Sequence, residues 1–102
     1  MDVDALSARL TAVASPPRLR ILAVLGDGPL HVSEIARRVG MSRPLLYMHL
    51  TKLEENGYVS GHLELSPDGR ALKVFEIQEF SITVDLAAIR AAVDEPGPEP
   101  ET

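Results

Sequence analysis

The chain has 102 residues, 45% of them hydrophobic and 25% charged, with a net charge of −5 and no cysteine. These are ordinary values for one modest globular domain, and the missing thiol excludes disulfides, thiolate metal sites and thiol redox sensing. The start, MDVDALSARL, is acidic rather than basic, and no apolar run approaches the roughly 18 residues of a membrane span, so the expectation is a cytoplasmic protein with no membrane partner.

Overall acidity argues against nucleic acid, which attracts basic proteins through counterion release. The charge is uneven, however. Asp94, Glu95, Glu99 and Glu101 fall in the last nine residues and leave −1 for the rest, while Arg37, Arg38, Arg43 and Lys52 stand between Ile35 and Leu53 with no acid among them.

In chain order, Val3 to Ala14 reads as a helix with Leu6, Leu10 and Val13 on one stripe. Ser15, Pro16 and Pro17 break it, and either proline fits the first turn of a second helix, RLRILAVL, whose apolar positions are Leu19, Ile21, Leu22 and Leu25. The cluster Gly26, Asp27, Gly28, Pro29 marks a turn. A third short helix, VSEIARRV, puts Ile35, Ala36 and Val39 inward and Arg37 and Arg38 outward, and Gly40 stops it.

The next run, SRPLLYMHLTKLEENGYV, predicts a helix over 43–56. Leu46, Leu50 and Leu53 recur at i, i+4 and i+7 as a docking face, and Tyr47, Met48, Thr51 and Lys52 lie opposite. Ser42 stands where an N-cap oxygen is wanted, Arg43 and Pro44 occupy the first turn, and Gly57 supplies a left-handed stop. Two short helices joined by a tight glycine-containing turn make a helix-turn-helix unit. Free amides and a cation at the start of its second helix suit contact with phosphates and base edges.

From Val59 to Leu65 the period changes to two, with Val59, Leu63 and Leu65 alternating with Ser60, His62 and Glu64. Ser66, Pro67, Asp68 and Gly69 read as a type I turn, and the return strand runs roughly from Ala71 to Phe80. Arg70 and Lys73 near its tip are placed to touch a DNA backbone or minor groove. ITVDLAAIRAAVD predicts a last helix with Thr83 as its cap and Leu86, Ile89 and Val93 on one stripe. EPGPEPET, 95–102, is too polar and proline-rich to fold and is expected to be a disordered tail on a domain spanning 1–94.

The fold class is thus mainly α with a small β-hairpin. The runs ASPPRLRILAVL, SEIARRVGMSRPLLYMHLTKLEENGYV and GRALKVFEI resemble the arsenic-repressor (ArsR) type of winged helix-turn-helix regulator across nearly the whole chain up to Asp94. The agreement includes Arg18, Leu19, Ile21, His49, Leu50, Leu53, Gly57, Val59, Gly69 and Arg70. The resemblance implies four helices, a two-stranded wing and a C-terminal helix. It also implies a homodimeric repressor that binds double-stranded DNA at an inverted repeat, with the first and last helices forming the subunit interface. The DNA-contact candidates are then Ser42, Arg43, Pro44, Tyr47, Met48, Thr51, Lys52, Arg37, Arg38, Arg70 and Lys73. Leu6, Leu10, Val13, Leu86, Ile89 and Val93 are the interface candidates, and ordinary intrachain core is the other reading of those stripes.

Metal-sensing members of that type carry two cysteines where this chain has His31 and Ser33, or Asp and His pairs on the last helix, where it offers Asp85 and no histidine. His31, His49 and His62 have no ligand spacing, so neither metal nor cofactor is expected. His49, at the flank of the apolar stripe, reads as a packing or phosphate-contacting residue. No catalytic constellation stands at recognisable spacing, and Glu54 and Glu55 are adjacent on a helix and point apart. Exposed Leu45, Tyr47 and Met48 equally suit a winged-helix module that binds protein. An effector stays open: a small molecule, a protein, or none.

Overall fold

The computed structural model describes residues 1–97. In chain order its elements are α1 (Val3–Val13), α2 (Pro16–Leu25), β1 (Leu30–His31), α3 (Val32–Val39), α4 (Arg43–Glu55), β2 (Val59–Leu65), β3 (Ala71–Ile77) and α5 (Leu86–Asp94). This is the expected winged helix-turn-helix, with one addition. The wing hairpin is extended to a three-stranded antiparallel sheet in the order β1-β3-β2, because Leu30 pairs with Phe75 and His31 with Val74. Two residues are too few for an alternating pattern to announce a strand. Of the expected tail, residues 98–102 lie outside the described residues.

Short polar side chains set most helix starts. Asp2, Ser15, Ser42 and Asp85 each accept from the amide three residues on, which satisfies one of the donors a first turn leaves free. The cap of α3 is His31, whose Nδ1 accepts from the Glu34 amide at 3.3 Å. Gly40, at φ 69°, closes α3 in the left-handed conformation that glycine adopts without steric cost. Two boundaries differ from expectation by more than one residue. The last helix begins at Leu86 because Asp85, not Thr83, accepts the Ala88 amide at 2.7 Å. The return strand stops at Ile77, after which Phe80 turns edge-on to the Tyr58 ring at 4.8 Å.

The core gathers Ile21, Leu22 and Leu25 from α2, Ile35 from α3, Leu46, Leu50 and Leu53 from α4, and Tyr58, Val59 and Phe75 from the sheet side. Each leucine removed from water in this way contributes roughly 1.5–3 kcal/mol before entropy is counted. Leu19 departs from its expected role and is 53% exposed, since Ile21, Leu22 and Leu25 occupy one arc of α2 and position 19 falls outside it. Among the described residues no helix is long and apolar enough to cross a membrane.

Candidate nucleic-acid interface

The two faces of α4 separate as the spacing predicts. Leu46, Leu50 and Leu53 are fully buried, whereas Ser42, Arg43, Pro44, Leu45, Tyr47, Met48, Thr51 and Lys52 are exposed. The helix is held from within by leucines, so its polar face is free for a partner; at its start Ser42 Oγ takes the Leu45 amide and Pro44 has no N–H, which leaves the Arg43 amide.

The cations are less uniform than their count implies. Glu34, one residue before the acid-free stretch, is bonded by both Arg37 and Arg38, and these guanidinium groups hold its carboxyl at about 2, well below the usual carboxylate range. Lys52 pairs with Glu55 at 3.5 Å, and Arg70 pairs with Asp68 at 3.3 Å. Of the six candidate cations, Arg43 and Lys73 alone have no carboxylate within 4.0 Å among the described residues. Both line one open groove of about 330 Å³ between the wing and the start of α4, with His31, Ser33, Tyr47 and Leu63. The two unpaired candidate cations thus converge where wing and helix meet.

The wing itself departs from a simple core-covering strand. Val59 is buried at its base, but Leu63 and Leu65 are 69% and 79% exposed, because the hairpin runs out past the helices and nothing lies beneath its tip. Its turn has the expected geometry: the Gly69 amide donates to the Ser66 carbonyl at 2.9 Å, and Gly69 has φ 84°. Two residues fix the wing's base. Glu54 accepts from the Gly61 amide at 2.8 Å, a link between α4 and β2 that sequence reasoning missed. Gly61 also has no room for a side chain, since a Cβ there would stand 2.7 Å from the Phe75 ring. Cross-strand register carries that second signal, because Gly61 pairs directly with Phe75.

His49 is a packing residue, 8% exposed, and its Nδ1 accepts from Arg18 Nε at 3.1 Å. Burial, and then the neighbouring Arg18 charge, lowers its pKa below the ordinary histidine value, so the ring is neutral at physiological pH.

The expected interface residues divide. α5 packs on α1 through buried Ala92, with Ala88 lining the seam, while Leu86 and Val93 face away and Ile89, at the edge of α1, also stays exposed. That stripe is therefore not intrachain core. On α1, Leu6 and Leu10 are half-buried and line a shallow apolar cleft of about 300 Å³ with Val3 and Ile89, and Val13 packs against the main core.

Residues 15–61, from the cap of α2 to the third residue of β2, match the family described as "Bacterial regulatory protein, arsR family". An uncharacterized HTH-type transcriptional regulator of Methanocaldococcus jannaschii is 34% identical over 79 residues, which cover 78% of this chain and 82% of that protein. The chain belongs to the ArsR family. ArsR-family proteins are DNA-binding transcription regulators, not enzymes, and this one carries the family's winged-helix DNA-binding domain.

Solved ArsR-type folds agree. The homodimeric winged helix-turn-helix DNA-binding domain of a possible ArsR-family regulator from Mycobacterium bovis superposes with a TM-score of 0.65 at 27% identity, covering 74% of this chain and 65% of that one. NolR of Sinorhizobium fredii gives 0.63 at 28% identity, covering 74% of this chain and 71% of that one.

Proposed function

We propose that this ArsR-family protein is a homodimeric repressor that occupies an inverted repeat in double-stranded DNA. Each subunit lays the outer face of α4 in a major groove and sets its wing against the adjoining backbone. The observation that carries this reading is the groove between wing and α4, where the two candidate cations free of carboxylates among the described residues, Arg43 and Lys73, stand beside Tyr47. Ser42, Pro44, Met48, Thr51 and Lys52 continue that surface along the helix. Arg37, Arg38 and Arg70 are phosphate contacts in this reading, and binding DNA requires them to exchange Glu34 and Asp68 for phosphate oxygens. Arg43 is suited to a bidentate bond with guanine, and Tyr47 and Met48 to thymine methyl groups.

The dimer is supported by the apolar cleft of Leu6, Leu10 and Ile89, by the outward stripe of Leu86 and Val93, and by the homodimeric state of the Mycobacterium bovis domain. Selection of bound sequences from random duplex DNA tests the whole reading. A two-fold symmetric consensus bound by two chains supports it. Enrichment of asymmetric sites, or binding by single chains, counts against it. One observation favours a second reading, a protein-binding winged helix: Leu45, Tyr47, Met48, Leu63 and Leu65 form exposed apolar surface on an acidic chain. In that case the selection would return no consensus.

A further inference from the structure

Arg18, near the start of α2, joins two helices that lie on either side of it in sequence. Its Nε donates to His49 Nδ1 on α4, and its Nη1 donates to the Ala12 carbonyl of α1 at 3.4 Å. The second acceptor is open for a covalent reason. Ala12 O would take its helical bond from residue 16, but Pro16 has no N–H. The first acceptor is equally determined: arginine only donates, so His49 Nδ1 carries no proton and the ring hydrogen sits on Nε2.

The hydrophobic attraction that seats α4 is non-directional, whereas a charge-assisted hydrogen bond fixes an orientation. A companion link ties α1 to the end of α4. Arg9 donates to the Asn56 carbonyl at 2.8 Å and lies over the Tyr58 ring, whose hydroxyl returns a bond to the Arg9 carbonyl at 2.7 Å.

We propose that Arg18 is a positioning residue for DNA reading: through His49 it sets the orientation of α4 relative to α1, so that subunit-pairing helix and reading helix move as one body. This rests on the DNA-reading function proposed above. A competing role exists, because Arg18 also lines an open groove between α1 and α4 with Lys52 and so stands within reach of a phosphate.

The test uses the full chain, three single variants and the double variant that combines Arg18→Met with His49→Leu. Arg18→Met keeps the aliphatic stem and removes the donors, Arg18→Lys keeps the charge with one donor centre, and His49→Leu removes the acceptor. The positioning role predicts that Arg18→Met lowers the ratio of specific to non-specific DNA affinity roughly tenfold, with His49→Leu giving a similar loss and the double variant no further loss. Arg18→Lys loses most of the ratio despite its charge, and the salt dependence of binding stays the same in all three. An equal fall in specific and non-specific affinity with a shallower salt dependence makes Arg18 a phosphate contact and overturns the proposal, as do additive effects in the double variant.

A second readout needs no DNA. Long-range ¹H–¹⁵N spectra of the wild type should show His49 with a bare Nδ1, Arg18→Met should shift that signal, and His49→Leu should move the amide resonances of Ala12 to Ser15. If the wild type binds no DNA while these shifts appear, the function proposed above fails and the mechanical link stands. If Arg18→Met leaves the Nδ1 signal unchanged, the link itself is wrong.

Discussion

Glu34 is the residue that most changes what the charge pattern means. It lies just before the acid-free stretch of the sequence, yet both Arg37 and Arg38 turn back to it, so two of the four cations there share one carboxylate and reach any partner with a single net positive charge between them. Its folded-state pKa of about 2 lies below the ordinary carboxylate value, so the interaction stabilises the fold above pH of about 4.5 and is lost as pH falls toward 2. Glu34→Gln is expected to weaken the dependence of melting temperature on pH across that window and leave the curve at pH 7 shifted only slightly, because the pair is exposed. An unchanged pH dependence would show that the pair is not formed in solution. The same substitution frees Arg37 and Arg38, and non-specific DNA affinity should rise at low salt. None of this is legible from counting charges, since the pairing depends on the i, i+3 and i, i+4 geometry of α3.

Among elements, the helices were legible and the sheet was only partly so. The leucine spacing of α4, its serine cap and Gly57 predict its bounds to within a residue because each signal is local. The α1 and α5 stripes were legible as stripes, but whether they face inside or outside depends on Ala88 and Ala92, small residues that let α5 approach α1, turn Leu86 and Val93 outward and leave Ile89 exposed at the edge of α1. β1 depends on chain segments meeting at long range, and the Glu54 link to β2 on how the chain turns after α4, neither of which periodicity encodes. Two substitutions test element boundaries and the wing base. Asp85→Ala should destabilise by about 1 kcal/mol through loss of the cap, whereas Thr83→Ala should change the melting temperature little; the reverse order would restore the earlier start of α5. Gly61→Ala forces a Cβ into the Phe75 ring and should cost roughly 1–3 kcal/mol in denaturant unfolding. A neutral result there would mean that the ring is not packed across β2.

At the scale of the whole molecule, an acidic chain becomes a DNA reader by distribution: four of its acids lie in the last nine residues, and the two candidate cations without a carboxylate partner among the described residues converge on one groove. In the proposed dimer, pairing two chains would double that surface and cover the apolar stripe of α1 and α5. Ile89→Asp places a charge in the cleft with Leu6 and Leu10, so it is expected to shift the protein to monomer in light scattering and to weaken operator binding at least tenfold, with the melt of the monomer still cooperative. A dimer that persists in this variant would move the interface elsewhere. The central claim is that Arg43 and Lys73 of both subunits meet phosphates or base edges, and the salt dependence of operator affinity measures it most directly. Lys73 on a phosphate in each subunit predicts that log K falls against log salt with a slope of about −2 or steeper, shallower by about 2 in Lys73→Ala dimers, whereas Arg43→Ala, which loses a guanine contact, lowers operator affinity at an unchanged slope. A slope near zero, or one that Lys73→Ala leaves unaltered, would contradict it.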